Sequence, residues 1–279
     1  KKNFVARVTL IPQDLTEGVL VLEVIESVLS QVEVEKGLEM LPNTEAYALA
    51  MIQKLQAQGD LLNTEKTDRA IALVNQIPGV SATASLREGK APGETDLLLS
   101  LYQNAKQKID VMIDNYGSYA TGVNRATANL TLFNPNDIAD MLNLTAVKTQ
   151  GSEYVRAAYS WAVGTAGWRM GVNVSHMTYE VIKGMTAVVG ANGKALTQGV
   201  ELSYPVVATP EHTSKLSINF DEKEYTNTSA QGVNISNYKA NTASAELSGV
   251  VRDISPGGAL STYNAVSYTH LRAHETRED

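Results

Sequence analysis

The chain has 279 residues, a net charge of −7 and no cysteine. The acidic balance gives no electrostatic case for nucleic acid as a partner, and the missing cysteines exclude disulfides, cysteine-based zinc sites and thiol catalysis. No apolar run reaches the roughly 18 residues of a membrane helix; the best candidate, GVLVLEVIESVL at 18–29, carries two glutamates.

The chain opens on KKNFVARVTL, which reads as a strand already under way, so further residues are expected before it. FVARVTL and VLVLEVIE are β-branched with partial alternation, as paired strands are. Residues 43–58, NTEAYALAMIQKLQAQ, place Leu49, Ile52 and Leu55 at helical spacing, with Asn43 and Thr44 as candidate caps and Gly59 as a stop. Residues 63–77 repeat the plan: Asn63 can cap, Glu65 suits the positive end of the dipole, and Ala70, Leu73, Val74 and Ile77 form a stripe ended by Pro78 and Gly79. VSATASLRE and TDLLLSLYQ then read as two strands joined by GKAPGE. From residue 31 the order is strand, helix, helix, strand, strand, a small domain able to bury one modest core.

After residue 104 the helical period gives way to strict alternation. In RATANLTL, Ala126, Ala128, Leu130 and Leu132 oppose Thr127, Asn129 and Thr131; in YVRAAYSWAV, Val155, Ala157, Tyr159 and Trp161 oppose Arg156, Ala158 and Ser160. WRMGVNVS and later segments agree, giving about eight strands, several longer than is usual in a soluble sheet. Short connections (NPNDIAD, GTAG, TPEHT) alternate with long ones expected near 180–198 and 224–241. Trp161 and Trp168 flank a short turn, where an aromatic girdle belongs. These features favour a transmembrane barrel over a soluble β-sandwich with one wet face.

The stretch DNYGSYATGVNRATANLTLFNP, residues 114–135, resembles the opening barrel hairpin of the two-partner secretion transporters, the hemolysin secretion/activation (ShlB/FhaC/HecB) family. LIPQDLTEGVLVLEVIE at 10–26 resembles the strand pair ending their first POTRA domain, and NQIPGVSATASLREGKAPGETDLLLSL at 75–101 the end of the second. The family usually has Gly-Asp after the Asn-Pro turn, where this chain has Ala139-Asp140. The resemblance implies a Gram-negative outer-membrane protein whose periplasmic POTRA domains receive an unfolded exoprotein, and whose 16-strand barrel, held in outer-membrane lipid, passes it outward. The expected fold is thus an α+β POTRA domain (β-α-α-β-β) followed by an incomplete antiparallel transmembrane β-barrel of about eight strands. The expected parts are a first-POTRA remnant at 1–30, a second POTRA domain at 31–103, half a barrel at 104–265, and a non-native tail at 266–279. That tail, VSYTHLRAHETRED, resembles over eleven residues the translation of a transposase sequencing adapter, so His270 and His274 are assigned no function.

Arg156, Arg169, Glu201, Lys215 and Glu246 fall on the polar side of the alternation and are the candidate lumen residues; an Arg or Lys facing lipid at the midplane costs about 2–4 kcal/mol. His176 and His212 are isolated, DEKE at 221–224 reads as a solvated strand end, and VVGANGKA lacks the residue order of a phosphate loop. No catalytic constellation, metal site or cofactor is expected, and an enzyme is not. The exoprotein-binding residues are not named by any motif; a groove between the strand at Val80–Arg87 and the helix at 43–58 is the expected location, by addition of a client strand to a sheet edge. A general outer-membrane assembly factor is the competing reading within the same architecture.

Overall fold

The computed structural model describes residues 3–13, 16, 18–35, 40–184, 190–229, 231–253, 255 and 258–275. The chain forms two compact units that divide between Asn104 and Ala105. The first holds a two-stranded hairpin, β1 (Ala6–Leu10) and β2 (Leu22–Glu26), then β3 (Val28–Val34), α1 (Pro42–Leu55), α2 (Thr64–Val74), β4 (Val80–Glu88) and β5 (Glu94–Gln103). The last three strands make a sheet of order β3-β5-β4, with β3 parallel and β4 antiparallel to the central β5. Ser27 alone separates β2 from β3, and Leu29 is fully buried, so the strand expected from residue 31 already starts at Val28. Residues 36–39 of the expected 31–103 domain lie outside the described residues.

Alternate residues of β5 bury Leu97, Leu99 and Leu101 on one face. The helices cover the sheet with Ala48, Met51, Ile52, Ala70, Leu73 and Val74. Each leucine buried this way contributes about 1.5–3 kcal/mol. Asn63 caps α2, its side chain accepting from the Lys66 N–H at 3.1 Å. The expected caps of α1 are displaced: Leu41 is the N-cap and makes no side-chain bond, while Asn43 and Thr44 lie in the first turn. Pro42 explains this, because its fixed φ suits the first helical position, where no N–H is needed. Leu49, expected in the core, is half-buried; Ile52, Leu73 and Ile77 are buried.

The second unit is one nine-stranded antiparallel meander, hydrogen-bonded in chain order. Its strands are β6 (Gln107–Asp114), β7 (Arg125–Phe133), β8 (Met141–Lys148), β9 (Ser152–Val163), β10 (Trp168–Glu180), β11 (Asn192–Ala208), β12 (His212–Thr228), β13 (Asn234–Arg252) and β14 (Leu260–Glu275). Eight fall within 107–252, and the ninth runs from Leu260 into the expected tail. Two expected long connections are shorter than composition suggested: 192–198 belongs to β11, and β12 and β13 extend until only 229–233 joins them. Polar residues at a two-residue period extend these strands as solvated ribbons, which composition alone reads as loop. Residues 185–189, in the other long connection, lie outside the described residues.

Among the described residues no second layer covers the apolar face of this sheet. Ile109 is 64% exposed, and Val155 and Ile218 are each 53% exposed. A β-sandwich would bury these side chains between two sheets, so the sandwich alternative does not describe this unit. Two tyrosines fit into notches where a neighbouring strand has glycine. Tyr179 lies over Gly193, its paired residue, and its hydroxyl donates to Asn227 Oδ1 at 2.8 Å; a Cβ on Gly193 would sit 2.7 Å from the ring. Tyr263 covers Gly249 in the same way and meets His212 Nε2 at 2.9 Å.

Candidate functional site

Backbone register places all five candidate lumen residues on the polar face. Arg156 stands between Thr145 and Ser175, Arg169 between Ala162 and Ser203, and Glu201 opposite Gly171. Glu201 accepts from Lys215 Nζ at 3.5 Å, which puts Lys215 on the same face, and Glu246 opposite Ser217 accepts from Asn264 Nδ2 at 3.1 Å. Glu201 and Lys215 are brought together as a pair, and the five residues are spread over five adjacent strands, β9 to β13. Beyond Arg156, on β7 and β8, the face continues with short polar bonds, Asn143 to Thr131 at 3.0 Å and Thr145 to Asn129 at 2.9 Å. The face offers hydrogen bonds and mixed charge spread evenly, which suits water contact along its length.

The opposite face carries the apolar band. Row by row it reads Leu132, Leu142, Tyr159, Val172 and Val200, then Leu130, Leu144, Ala157 and Val174. At the short-turn end Trp168 packs on Tyr204 with ring centroids 4.7 Å apart, and Tyr159 stacks with Trp161 at 5.7 Å. At the other end, charge closes the band: Lys148 pairs with Glu153, and Lys239 with Glu224. From Trp168 to Thr178 the strand covers about 33 Å, which at a tilt of roughly 40° is a band about 25 Å tall, the height of an outer-membrane barrel's lipid belt. His176 stands in this face opposite Val155 and Leu196, and His212 contacts Tyr263; among the described residues no group of three metal-ligating side chains occurs.

The turn between β7 and β8 holds a polar knot that alternation alone did not reveal. Asp140 is fully buried; its Oδ2 accepts from the Tyr159 hydroxyl at 2.7 Å and from Asn136 Nδ2 at 2.7 Å. Arg169 reaches the same turn, donating to the Ala139 carbonyl at 2.9 Å and to Ser160 Oγ at 3.1 Å. Burial pushes the Asp140 carboxyl up, but the bonds from Tyr159, Asn136 and the backbone together outweigh it and hold it below its ordinary value. Asn134, Asp137 and Ala139 all adopt positive φ, and Ala139 does so at +57° while buried. The Asn-Pro-Asn-Asp run signals a turn, but the Asp140–Tyr159 bond depends on strand register.

In the first unit, β4 is an edge strand, and α2 packs against it. Arg87 bonds Glu33 at 2.6 Å and Asp96 at 3.3 Å, fastening β4 to β3 across β5. The Asn75 side chain accepts from the Ala82 N–H and donates to the Ala82 carbonyl, both at 2.9 Å.

Comparison with known proteins agrees with this architecture. The chain is 24% identical over 289 aligned residues to the heme/hemopexin transporter protein HuxB of Haemophilus influenzae, covering 99% of this chain and 49% of that protein. It is 25% identical over 180 residues to the outer membrane transporter CdiB of Dickeya dadantii, covering 62% of this chain and 30% of that protein. The chain thus spans about half the length, or less, of these curated relatives. Its fold is similar to that of CdiB from Escherichia coli, with a TM-score of 0.71 at 20% identity over 97% of this chain and 50% of that one. BamA from Haemophilus ducreyi lacking POTRA domains 1–3 gives a TM-score of 0.54 at 14% identity, covering 96% of this chain and 54% of that one. These likenesses, with the exposed apolar belt, place the chain in the outer membrane of a Gram-negative bacterium. Residues 93–270, more than half of the chain, match the family described as haemolysin secretion/activation protein ShlB/FhaC/HecB, and the chain belongs to that family.

Proposed function

We propose that this chain supplies the periplasmic receiving domain and part of the barrel of an outer-membrane translocator that takes an unfolded exoprotein and secretes it in a two-partner system. The observation that carries this reading is the family match across 93–270, which spans the exposed-belt sheet. In this reading residues 28–103 are a POTRA domain in the periplasm, β1 and β2 belong to the domain before it, and β6 to β13 are native barrel strands. Arg156, Arg169, Glu201, Lys215 and Glu246 line the water-filled lumen, where charge is tolerated. The client pairs its backbone with the free edge of β4, gaining hydrogen bonds that do not depend on its sequence. No nucleotide is invoked; folding of the client outside the cell supplies the drive.

We further infer, from the likeness of VSYTHLRAHET to an adapter translation, that residues from 266 onward are not native. From Thr262 to Ala265, β14 keeps the sheet's alternation: Ala265 stands in the row of Leu247, and Asn264 in that of Ser248. Beyond it the pattern inverts, with Val266 opposite Glu246 and Ser267 opposite Ala245. A one-residue change of phase moves apolar groups to the polar side. Residues 276–279 of this tail lie outside the described residues.

The test is secretion. The complete reading frame is expressed with its neighbouring exoprotein gene in a Gram-negative host, and the exoprotein is assayed in the medium. Release that depends on the transporter supports the reading. Normal release without it, together with defective assembly of other barrel proteins, indicates the general assembly factor instead.

A further inference from the structure

The proposed docking strand β4 has an unequal edge. Gly89 directs its N–H at the Glu94 carbonyl on β5, at 2.9 Å, so odd-numbered residues of this strand face β5. Ala82 directs both backbone groups the other way, to Asn75. Alternation along an edge strand then turns the N–H and C=O of Ala84, Leu86 and Glu88 outward. Among the described residues these six groups meet no backbone partner, because β4 pairs with β5 alone. The outward set therefore begins with a residue that is satisfied and continues with three that are open.

We propose that Asn75 is a register stop for the docked client strand. Its carboxamide presents one donor and one acceptor to Ala82, as the peptide group of an added strand would do. A client strand on β4 must therefore end or turn away at this point, and its pairing tract is Ala84 to Glu88. Asn75 is held for this role from the helix side, since it is the C-cap of α2 and its Nδ2 also donates to the Ile71 carbonyl at 3.0 Å. The far end of the tract is open: Glu88 pairs with Arg7 at 3.3 Å beside a cleft of about 710 Å³ that Arg7, Glu23, Ile25 and Lys90 help to line. The slot is closed at Ala82 and open at Glu88, so a client of any sequence enters in a fixed frame. Asn75 acts here as a positioning residue, and the inference rests on edge pairing at β4.

The experiment is residue-resolved amide hydrogen exchange on the full chain in detergent micelles. The probe is a twelve-residue peptide alternating threonine and valine, with a lysine at each end. In the parent chain Ala82 exchanges slowly without peptide, and the peptide slows Ala84 and Leu86. In Asn75→Ala, Ala82 exchange without peptide rises about tenfold, and the peptide footprint advances to include Ala82. Leu73 and Val74 report that α2 is still folded. Asn75→Asp keeps the acceptor, so its Ala82 N–H stays slow; fast exchange there overturns the assignment even if the alanine variant loses α2. A footprint in Asn75→Ala that still ends at Ala84 removes the stop and leaves edge pairing standing. If the peptide slows neither Ala84 nor Leu86 in the parent, edge pairing fails, and the stop with it.

Discussion

Two regions of this molecule use the same two-residue alternation to opposite ends. In β5, Leu97, Leu99 and Leu101 are at most 1% exposed because α1 and α2 close over them. In the nine-stranded sheet the matching residues face outward, with Val155 53% and Val200 47% exposed. A sheet face this apolar is unsuited to water, where contiguous apolar patches stay small. The comparison teaches that alternation reports only that two faces differ. What covers the apolar face, helix or lipid, is decided by whether the chain supplies a covering layer.

The largest expected effect belongs to the helix-covered core. Leu99→Ala should destabilise the first unit by about 2–5 kcal/mol, measured by denaturant unfolding followed by circular dichroism. A loss below about 1 kcal/mol would mean that β5 is not the core strand. Next comes a matched pair on β9. Ala157→Arg should cost about 2–4 kcal/mol in phospholipid vesicles, and Ala158→Arg close to nothing. Equal losses would erase the difference between the two faces.

Smaller effects concern the β7–β8 turn. Ala139→Gly should stabilise the sheet by about 1 kcal/mol, because alanine pays a steric penalty at positive φ that glycine does not. A loss would show that the alanine methyl packs usefully. The smallest effect is the response of this turn to acid. The folded-state pKa of Asp140 lies below its ordinary value, so its stabilising contribution is complete above the ordinary carboxylate range. It is lost as pH falls through the lowered folded value. Tryptophan emission should report this through Trp161, which stacks on Tyr159, and Asp140→Asn should abolish the transition.

Much of this was legible in residues. The capping of α2 by Asn63 follows from a short polar side chain before an apolar stripe, and the polar face follows from Arg156, Arg169 and Glu201 keeping phase with Ser160 and Asn173. What escaped depends on contacts distant in sequence. The start of α1 differs from the expectation because Pro42 sets the first turn without a side-chain cap. The ends of β12 and β13 within 224–241 read as loop because asparagine and threonine are common to both. The Asp140–Tyr159 bond joins residues nineteen apart, and Asn75 meets Ala82 only after the chain turns at Gly79. Neither pairing leaves a periodic trace.

The tyrosine-filled glycine notches bear on how such a sheet finds its alignment. A strand that slides by one residue exposes its error at once, since every side chain changes face. A slide by two residues preserves the faces, and neither lipid nor water detects it. It would, however, carry the Tyr179 ring from Gly193 to a neighbour bearing a Cβ, where the ring no longer fits. Tyr179 and Tyr263 thus penalise a two-residue slip that the alternating pattern cannot see.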